Sequence, residues 1–353
     1  MIERPASVVR EAVENALDAG ANEIRVRIVE GGKVEIRVED DGTGIAREDL
    51  PKVVERFTTS KIREVEDLDR VRTLGFRGEA LHAIAVSGQL TLITRTAEAP
   101  HGWKAEYEED RLVRLEPAPR PVGTTLVVRH LFQRLPARRA YLGSVRQETR
   151  RVVQVMEAMV LAHPDRSFVL ENEKRVLVQA PAVEDLAGRI GQLFGPEFLE
   201  RLEHRLVEGE AWRAEIWFSP PEDLAGNTAF QWIVVNGRVI RDDRLRGLIY
   251  RALEIPPGHH PRFLLHLQVD PARVNWHIHP QKREVRFHPD LHLHGALFEA
   301  LRHRTISSRD RSAPSMESSS APRVQEPPRP TTSRATLFAP SLGGTRTPYT
   351  PAE

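Results

Sequence analysis

The run from Glu11 to Leu81 constrains this chain more than any other stretch. Entering it, Val8, Val9, Ala12, Val13, Ala16 and Leu17 recur at helical spacing, with Gly20 as the stop. On the opposite side of that helix Glu11, Asn15 and Asp18 fall at i, i+4 and i+7, with Glu14 beside them. Next, EIRVRIVEGGKVEIRVED alternates apolar and polar residues on both sides of EGG. That pattern predicts a β-hairpin in which Ile24, Val26 and Ile28 are answered by Val34, Ile36 and Val38. Glycine-rich turns follow at DDGTG and GFRG. Long helices and antiparallel hairpins together point to an α+β fold, a two-layer sandwich with helices on one face.

The remaining elements follow the same logic. A helix is expected over Glu79–Ser87, a strand over Leu90–Arg95, and an alternation through Trp103–Leu115, with Thr124–Val128 closing the sheet. The helix Val145–Ala162 precedes another strand-rich stretch, and a helical run, Val183–Phe194, leads to the join. Beyond it come strands Ala211–Phe218 and Gln231–Val235, a turn at Asn236-Gly237, helix Arg244–Leu253, strand Phe263–Val269 and a terminal helix, Leu293–Arg304. That order contains one βαβ-like crossover, expected to be right-handed. Residues 1–200 and 205–306 are therefore expected to form two folded units, the second smaller than the first. Residues 307–353 are expected to be a disordered, Pro/Ser/Thr-rich tail, since they lack apolar periodicity.

Composition narrows the class. No apolar stretch approaches the roughly 18 residues of a membrane span, so no membrane partner is expected. Zero cysteines exclude disulfides, thiolate zinc sites and cysteine nucleophiles, and fit a cytoplasmic location. With 51 basic residues against 50 acidic ones, nucleic-acid binding requires segregated charge and not a global excess.

The chemical signals are weak one at a time. Acids opposite an apolar stripe are ordinarily the solvated face of a helix. DDGTG alone is a turn after a strand, without the spaced acids of an EF-hand. GFRG is no Walker loop, and no GxxxxGK[ST] occurs in the chain. Their order carries more than any single one.

VENALDAGA, EDDGTGI and TLGFRGEAL, with TSK between them and GTT at Gly123–Thr125, resemble the ATP-binding (Bergerat-type) motifs of the gyrase, heat-shock chaperone, histidine kinase and MutL superfamily. ERPASVVREAVENALDAGA, FTTSKI, LGFRGEAL, PARRAYL and HPQKREVRF together resemble the N-terminal half of MutL, the DNA mismatch repair ATPase, over about residues 3–305.

That resemblance implies roles. Glu11 matches the general base that deprotonates the attacking water, and Asn15 the magnesium ligand one helical turn on. Asp40 matches the adenine reader, with Gly42 and Gly44 giving close backbone approach to the base. Thr59 and Thr124 match residues that assist adenine binding, and Lys61 one near the phosphates. Gly75, Phe76, Arg77 and Gly78 match a phosphate lid. Lys282 in HPQK matches the lysine that reaches the γ-phosphate from the second unit. ATP and Mg²⁺ are thus the implied ligands. Arg138 and Arg139 in PARR, with Arg238 and Arg241 beside VNGR, are candidates for a DNA phosphate surface. The implied function is an ATP-driven switch of mismatch repair. It would hydrolyse ATP slowly, self-associate on ATP binding, meet a mismatch-recognition protein and bind double- and single-stranded DNA through phosphates. The alternative is a nucleotide-binding scaffold module without turnover.

Four departures from the family pattern stand out. The chain starts inside the VERPASVV motif, so an upstream helix and an IAAGEV-like segment are expected to be missing. Gln133, Arg134 and Leu135 replace the usual YNT before PARR, and VNWHIHPQK replaces VNVHPAK. A DQHA-x-x-E-R-like endonuclease motif is not found after the linker.

Overall fold

The computed structural model describes residues 2–55, 80–276 and 285–302. Helix α1 (Pro5–Asp18) buries Val8, Val9, Ala12, Val13 and Ala16 of the stripe expected from the spacing, leaves Leu17 half-buried, and is opened by Pro5. Against it lies the hairpin of β1 (Glu23–Val29) and β2 (Glu35–Asp40), in which Val26 faces Val38 and Ile28 faces Ile36. Val34 departs from the expected register. It falls in the turn, which uses a 3-10 segment with Gly31 and Gly32 at positive φ, and it is 42% exposed.

Helix α2 (Ala80–Ser87) leads into β3 (Gln89–Arg95). The single alternation expected through Trp103–Leu115 is two strands, β4 (Gly102–Glu108) and β5 (Arg111–Ala118), folded back at Glu109, whose φ is +56°. Strand β6 (Gly123–Arg129) does not close an edge but sits between β3 and β2. After α3 (Pro136–Ala140) comes α4 (Val145–Ala162), started by a capping box of Ser144 and Gln147. Strands β7 (Ser167–Asn172) and β8 (Val176–Ala180) complete an eight-stranded sheet, ordered β5-β4-β3-β6-β2-β1-β7-β8. Its pairings are antiparallel except for β1 with β7. One apolar core joins α1, α2 and α4 to the inner face of this sheet.

Helices α5 (Leu186–Phe194) and α6 (Pro196–Glu200) precede the second sheet. Its strands are β9 (Glu203–Gly209), β10 (Trp212–Phe218), β11 (Gln231–Val235), β12 (Arg238–Ile240) and β13 (Phe263–Val269), in the order β12-β11-β13-β10-β9. Helix α7 (Asp243–Ala252) carries the crossover, and β11 and β13 run parallel, as a βαβ-like connection requires. A short ladder of β14 (Val274–Asn275) and β15 (Arg286–Phe287) and helix α8 (Leu293–Arg302) finish the fold.

Residues 1–304 form one compact unit holding both sheets. The seam between the sheets is apolar: Leu161 and Ala162 of α4 and Leu186 and Ile190 of α5 cluster with Phe230, Val234 and Leu264. Phe194, Phe198 and Phe230 add ring contacts at centroid distances of 4.9–5.2 Å. Arg189, fully buried, donates to the carbonyl oxygens of Pro164 and Arg166, both at 2.7 Å, and so braces the turn before β7. Among the described residues no helix is long and apolar enough to cross a membrane. The expected tail, 307–353, lies outside the described residues.

Candidate functional site

Helix α1 ends against the turn that follows β2. The N–H of Thr43 donates to the Ala19 carbonyl oxygen at 3.0 Å, so the acid-bearing helix and the DDGTG turn are locked side by side. Glu11, Asn15 and Asp18 stay half-buried on the face of α1 away from the core, while its apolar stripe is buried from Val8 to Ala16.

Asp40, the last residue of β2, is held by main chain. Its Oδ1 accepts from the N–H of Gly42 at 2.9 Å and of Thr124 at 3.2 Å. Asp41 is tied down separately, its Oδ1 accepting from Asn22 and Glu23 N–H groups at 2.7 and 2.9 Å. Burial pushes the Asp40 carboxyl above its usual value of 3.8; the two N–H groups and the Arg120 guanidinium oppose that, and burial outweighs them. Arg120 Nη2 also donates to the Asp40 carbonyl oxygen at 2.8 Å.

Register explains why Thr124 arrives here. Asp40 pairs with Thr124 across β2 and β6, and Thr94 pairs with Thr124 across β3 and β6. Thr94 Oγ1 lies 3.0 Å from Thr124 Oγ1 and donates to the Gly123 carbonyl oxygen at 3.1 Å. It also accepts the N–H of Ile45 at 2.8 Å, which pins the far end of the DDGTGI loop to β3. Gly44 has φ +76°, and a Cβ there would lie 2.1 Å from the Arg95 carbonyl oxygen. Its smallness therefore serves the packing of loop against strand.

Glu11, Asn15, Asp40, Gly42, Gly44 and Thr124 are thus gathered around the junction of α1 with the sheet. Thr59, Lys61, Gly75, Phe76, Arg77, Gly78 and Lys282 lie outside the described residues. Thr94 and Arg120 were not anticipated. Thr94 left a signal: it is the third inward position of QLTLITR after Leu90 and Leu92, a polar group where the period demands an apolar one. Arg120 left none, because its partner, the Asp40 carbonyl oxygen, lies 80 residues away in the sequence.

The arginines separate. Arg139 and Arg241 are exposed, and Arg138 is half-buried on α3 with Nη1 3.5 Å from the Ile2 carbonyl oxygen. Arg238, the fourth of these candidates, is only 9% exposed. Its guanidinium stacks on the Trp276 ring at 4.6 Å and feels the carboxylates of Glu14 and Asp18 on α1.

A large mixed sheet covered by helices, with an acid- and amide-bearing helix locked to an Asp-Gly turn, defines the histidine kinase-, DNA gyrase B- and HSP90-like ATPase class, whose family model matches residues 2–132. A second model, for the C-terminal domain of DNA mismatch repair protein, matches residues 190–305. The chain belongs to the MutL family of DNA mismatch repair proteins, as its N-terminal ATPase region. It is 40% identical over 344 residues to DNA mismatch repair protein MutL of Azotobacter vinelandii, covering 95% of this chain and 52% of that protein. To the MutL of Pseudomonas paraeruginosa it is 41% identical over 312 residues, covering 87% and 49%. The chain spans about half the length of these curated relatives. Among solved structures it resembles the Aquifex aeolicus MutL ATPase domain complexed with ADP, at 27% identity and TM-score 0.59, over 77% of this chain and 94% of that one. The N-terminal domain of a DNA repair protein shares the fold at TM-score 0.71 and 21% identity, over 85% of this chain and 92% of that one.

Proposed function

We propose that this chain binds ATP at the junction of α1 with the sheet and hydrolyses it slowly, as a conformational switch in mismatch repair. The observation that carries the reading is the Thr43-to-Ala19 hydrogen bond, which holds the helix of Glu11 and Asn15 beside the Asp40 carboxylate. Asp40 reads adenine: with Oδ1 committed to two main-chain N–H groups, its second oxygen is the acceptor for the exocyclic amine. Guanine offers no amine at that place. Thr124, beside it, supports the base edge.

Glu11 takes the proton from the attacking water as the new bond to the γ-phosphorus forms and the bond to the β-phosphate oxygen breaks. Asn15 has the donor a hard divalent ion prefers, and through that oxygen it would hold Mg²⁺, which supplies neutralisation of the charge growing on the leaving phosphates. Thr59 assists at the base, and Lys61 and the lid Gly75, Phe76, Arg77 and Gly78 cover the phosphates. Lys282 reaches the γ-phosphate from the second unit and so couples nucleotide state to the arrangement of 1–200 against 205–306. ATP binding drives self-association, and a mismatch-recognition protein is the upstream partner. Arg138, Arg139 and Arg241 contact DNA phosphates, on double or single strands, without reading sequence.

The test is magnesium-dependent ATP hydrolysis by this chain and by Glu11→Ala. Turnover lost in the variant with nucleotide affinity kept supports the switch. Tight ATP binding with no turnover in either protein favours a nucleotide-binding scaffold instead, and turnover that Glu11→Ala leaves unchanged removes Glu11 as the base. For DNA, Arg139→Ala and Arg241→Ala are each expected to lower the slope of log affinity against log salt by about 1.

A further inference from the structure

The turn between β11 and β12 is fixed on both sides. Asn236 and Gly237 both have positive φ, +49° and +76°, so the reversal is of the primed kind that suits a two-residue hairpin. The Asn236 side chain clips that turn to β13: Oδ1 accepts the Val269 N–H and Nδ2 donates to the Val269 carbonyl oxygen, both at 2.8 Å. On its other side, a Cβ at Gly237 would lie 2.8 Å from the His163 ring at the end of α4. Arg238, the next residue, therefore leaves a turn with no room to shift.

Its guanidinium lies over Trp276, which packs in the core of the second sheet at 7% exposure. The carboxylates whose charges act on it belong to the first sheet's layer. Glu14 and Asp18 lie on the same face of α1 as Glu11 and Asn15, at i, i+3, i+4 and i+7. Burial lowers the Arg238 guanidinium below its usual value, and those two carboxylates act against the loss of charge. Arg238 thus follows a turn packed against the end of α4, is seated on a tryptophan of the second sheet's core, and feels the charges of the helix that carries the proposed base. Trp276 belongs to VNWHIHPQK, the stretch in which this sequence departs from the VNVHPAK pattern.

We propose that Arg238, seated on Trp276, is a positioning residue for ATP hydrolysis: it sets the face of α1 that presents Glu11 and Asn15. The inference rests on the ATPase reading given above. Lysine keeps the charge but not the planar guanidinium that stacks on the Trp276 ring, so Arg238→Lys leaves α1 attracted but misplaced. Because near-attack geometry is sensitive to sub-ångström shifts, kcat is expected to fall at least ~10-fold with KM for ATP within about twofold. Trp276→Phe keeps a ring with a weaker pull on the cation and is expected to lower kcat less. Since ring and guanidinium act as one unit, the double variant is expected to be no slower than Arg238→Lys alone.

The experiment measures kcat, KM and melting temperature for the wild-type chain, Arg238→Lys, Trp276→Phe, the double variant and Asp18→Asn, with Glu11→Ala as the baseline. Wild-type kcat in Arg238→Lys, a fall in ATP affinity equal to the fall in kcat, or additive effects in the double variant would each overturn the proposal. If Arg238→Lys does not fold, Trp276→Phe and Asp18→Asn decide: kcat at the wild-type level in both overturns it. A wild-type chain without Glu11-dependent turnover overturns the proposed function and this inference with it. Glu11-dependent turnover that survives all three substitutions overturns this inference alone.

Discussion

Thr94 and Thr124 face each other across β3 and β6 with their hydroxyl oxygens 3.0 Å apart, and the N–H of Thr124 reaches the Asp40 carboxylate at 3.2 Å. Two side chains 30 residues apart thereby build the floor on which Asp40 stands. Thr94→Val keeps the shape but deprives the Ile45 N–H of its acceptor, which costs roughly 1–3 kcal/mol. The expected result is a lower melting temperature and adenine-nucleotide affinity reduced about tenfold, read by thermal denaturation and by titration with a fluorescent ATP analogue. Unchanged affinity would remove Thr94 from the site.

Asp40 links binding to pH. Its carboxyl is raised above 3.8 mainly by burial, so protonation on acidification begins at higher pH than for an exposed aspartate. In the proposed reader role nucleotide binding needs the ionised acceptor, and affinity should therefore fall as pH drops through that raised value. The stability sign is opposite: a raised folded-state pKa contributes stability below 3.8 that is lost as pH rises through it. Asp40→Asn retains an oxygen for Gly42 and Thr124 but presents an amide to the base. It should melt no lower than wild type at pH 7, yet bind ATP at least ~10-fold more weakly. Weak binding accompanied by a collapsed melting temperature would count against the reader role.

Two glycines with the same backbone angle separate strain from crowding. Gly20 and Gly44 have φ +75° and +76°, but a Cβ at Gly20 meets nothing within 4 Å, whereas at Gly44 it lies 2.1 Å from the Arg95 carbonyl oxygen. Gly20→Ala should cost about 1 kcal/mol, the left-handed penalty alone. Gly44→Ala must add displacement of the loop and is expected to cost well above that, with loss of nucleotide binding. Equal costs in urea denaturation would mean that the loop yields freely.

His163 offers an acid-stability test. Burial pushes its imidazole down to about 4 from 6.5, against the pull of Asp165 and with the support of His266. A lowered histidine contributes stability above the unfolded value that is lost as pH falls toward the folded one. Between about pH 6.5 and 4 the loss from this residue is on the order of 3 kcal/mol. His163→Asn should flatten the decline of unfolding free energy across that window. A decline as steep as that of wild type would place the acid sensitivity elsewhere.

Local pattern revealed the elements whose fates are decided locally. The Val145–Ala162 helix matched its expected ends because its period and its Ser144/Gln147 capping box both sit within a few residues. Strand β9 carries no such mark: EHRLVEG lies at a sheet edge, none of its residues is fully buried, and its sequence shows no apolar alternation. The site divides in the same way. Glu11, Asn15 and Asp40 could be read from motif order, whereas Thr94 and Arg120 acquire roles only through partners distant in the sequence. Arg238 read as a surface cation, because nothing near VNGR foretells a tryptophan 38 residues later beneath it.

The place of β6 sets an order of events during synthesis. It separates β3 from β2, so residues 35–40 and 89–95, made earlier, share no edge until 123–129 slide between them. A nascent chain stopped short of Gly123 holds both halves of the proposed adenine pocket and cannot assemble it. Competence to bind nucleotide should thus appear on the ribosome as a step, when one late strand emerges, and not as a gradual gain.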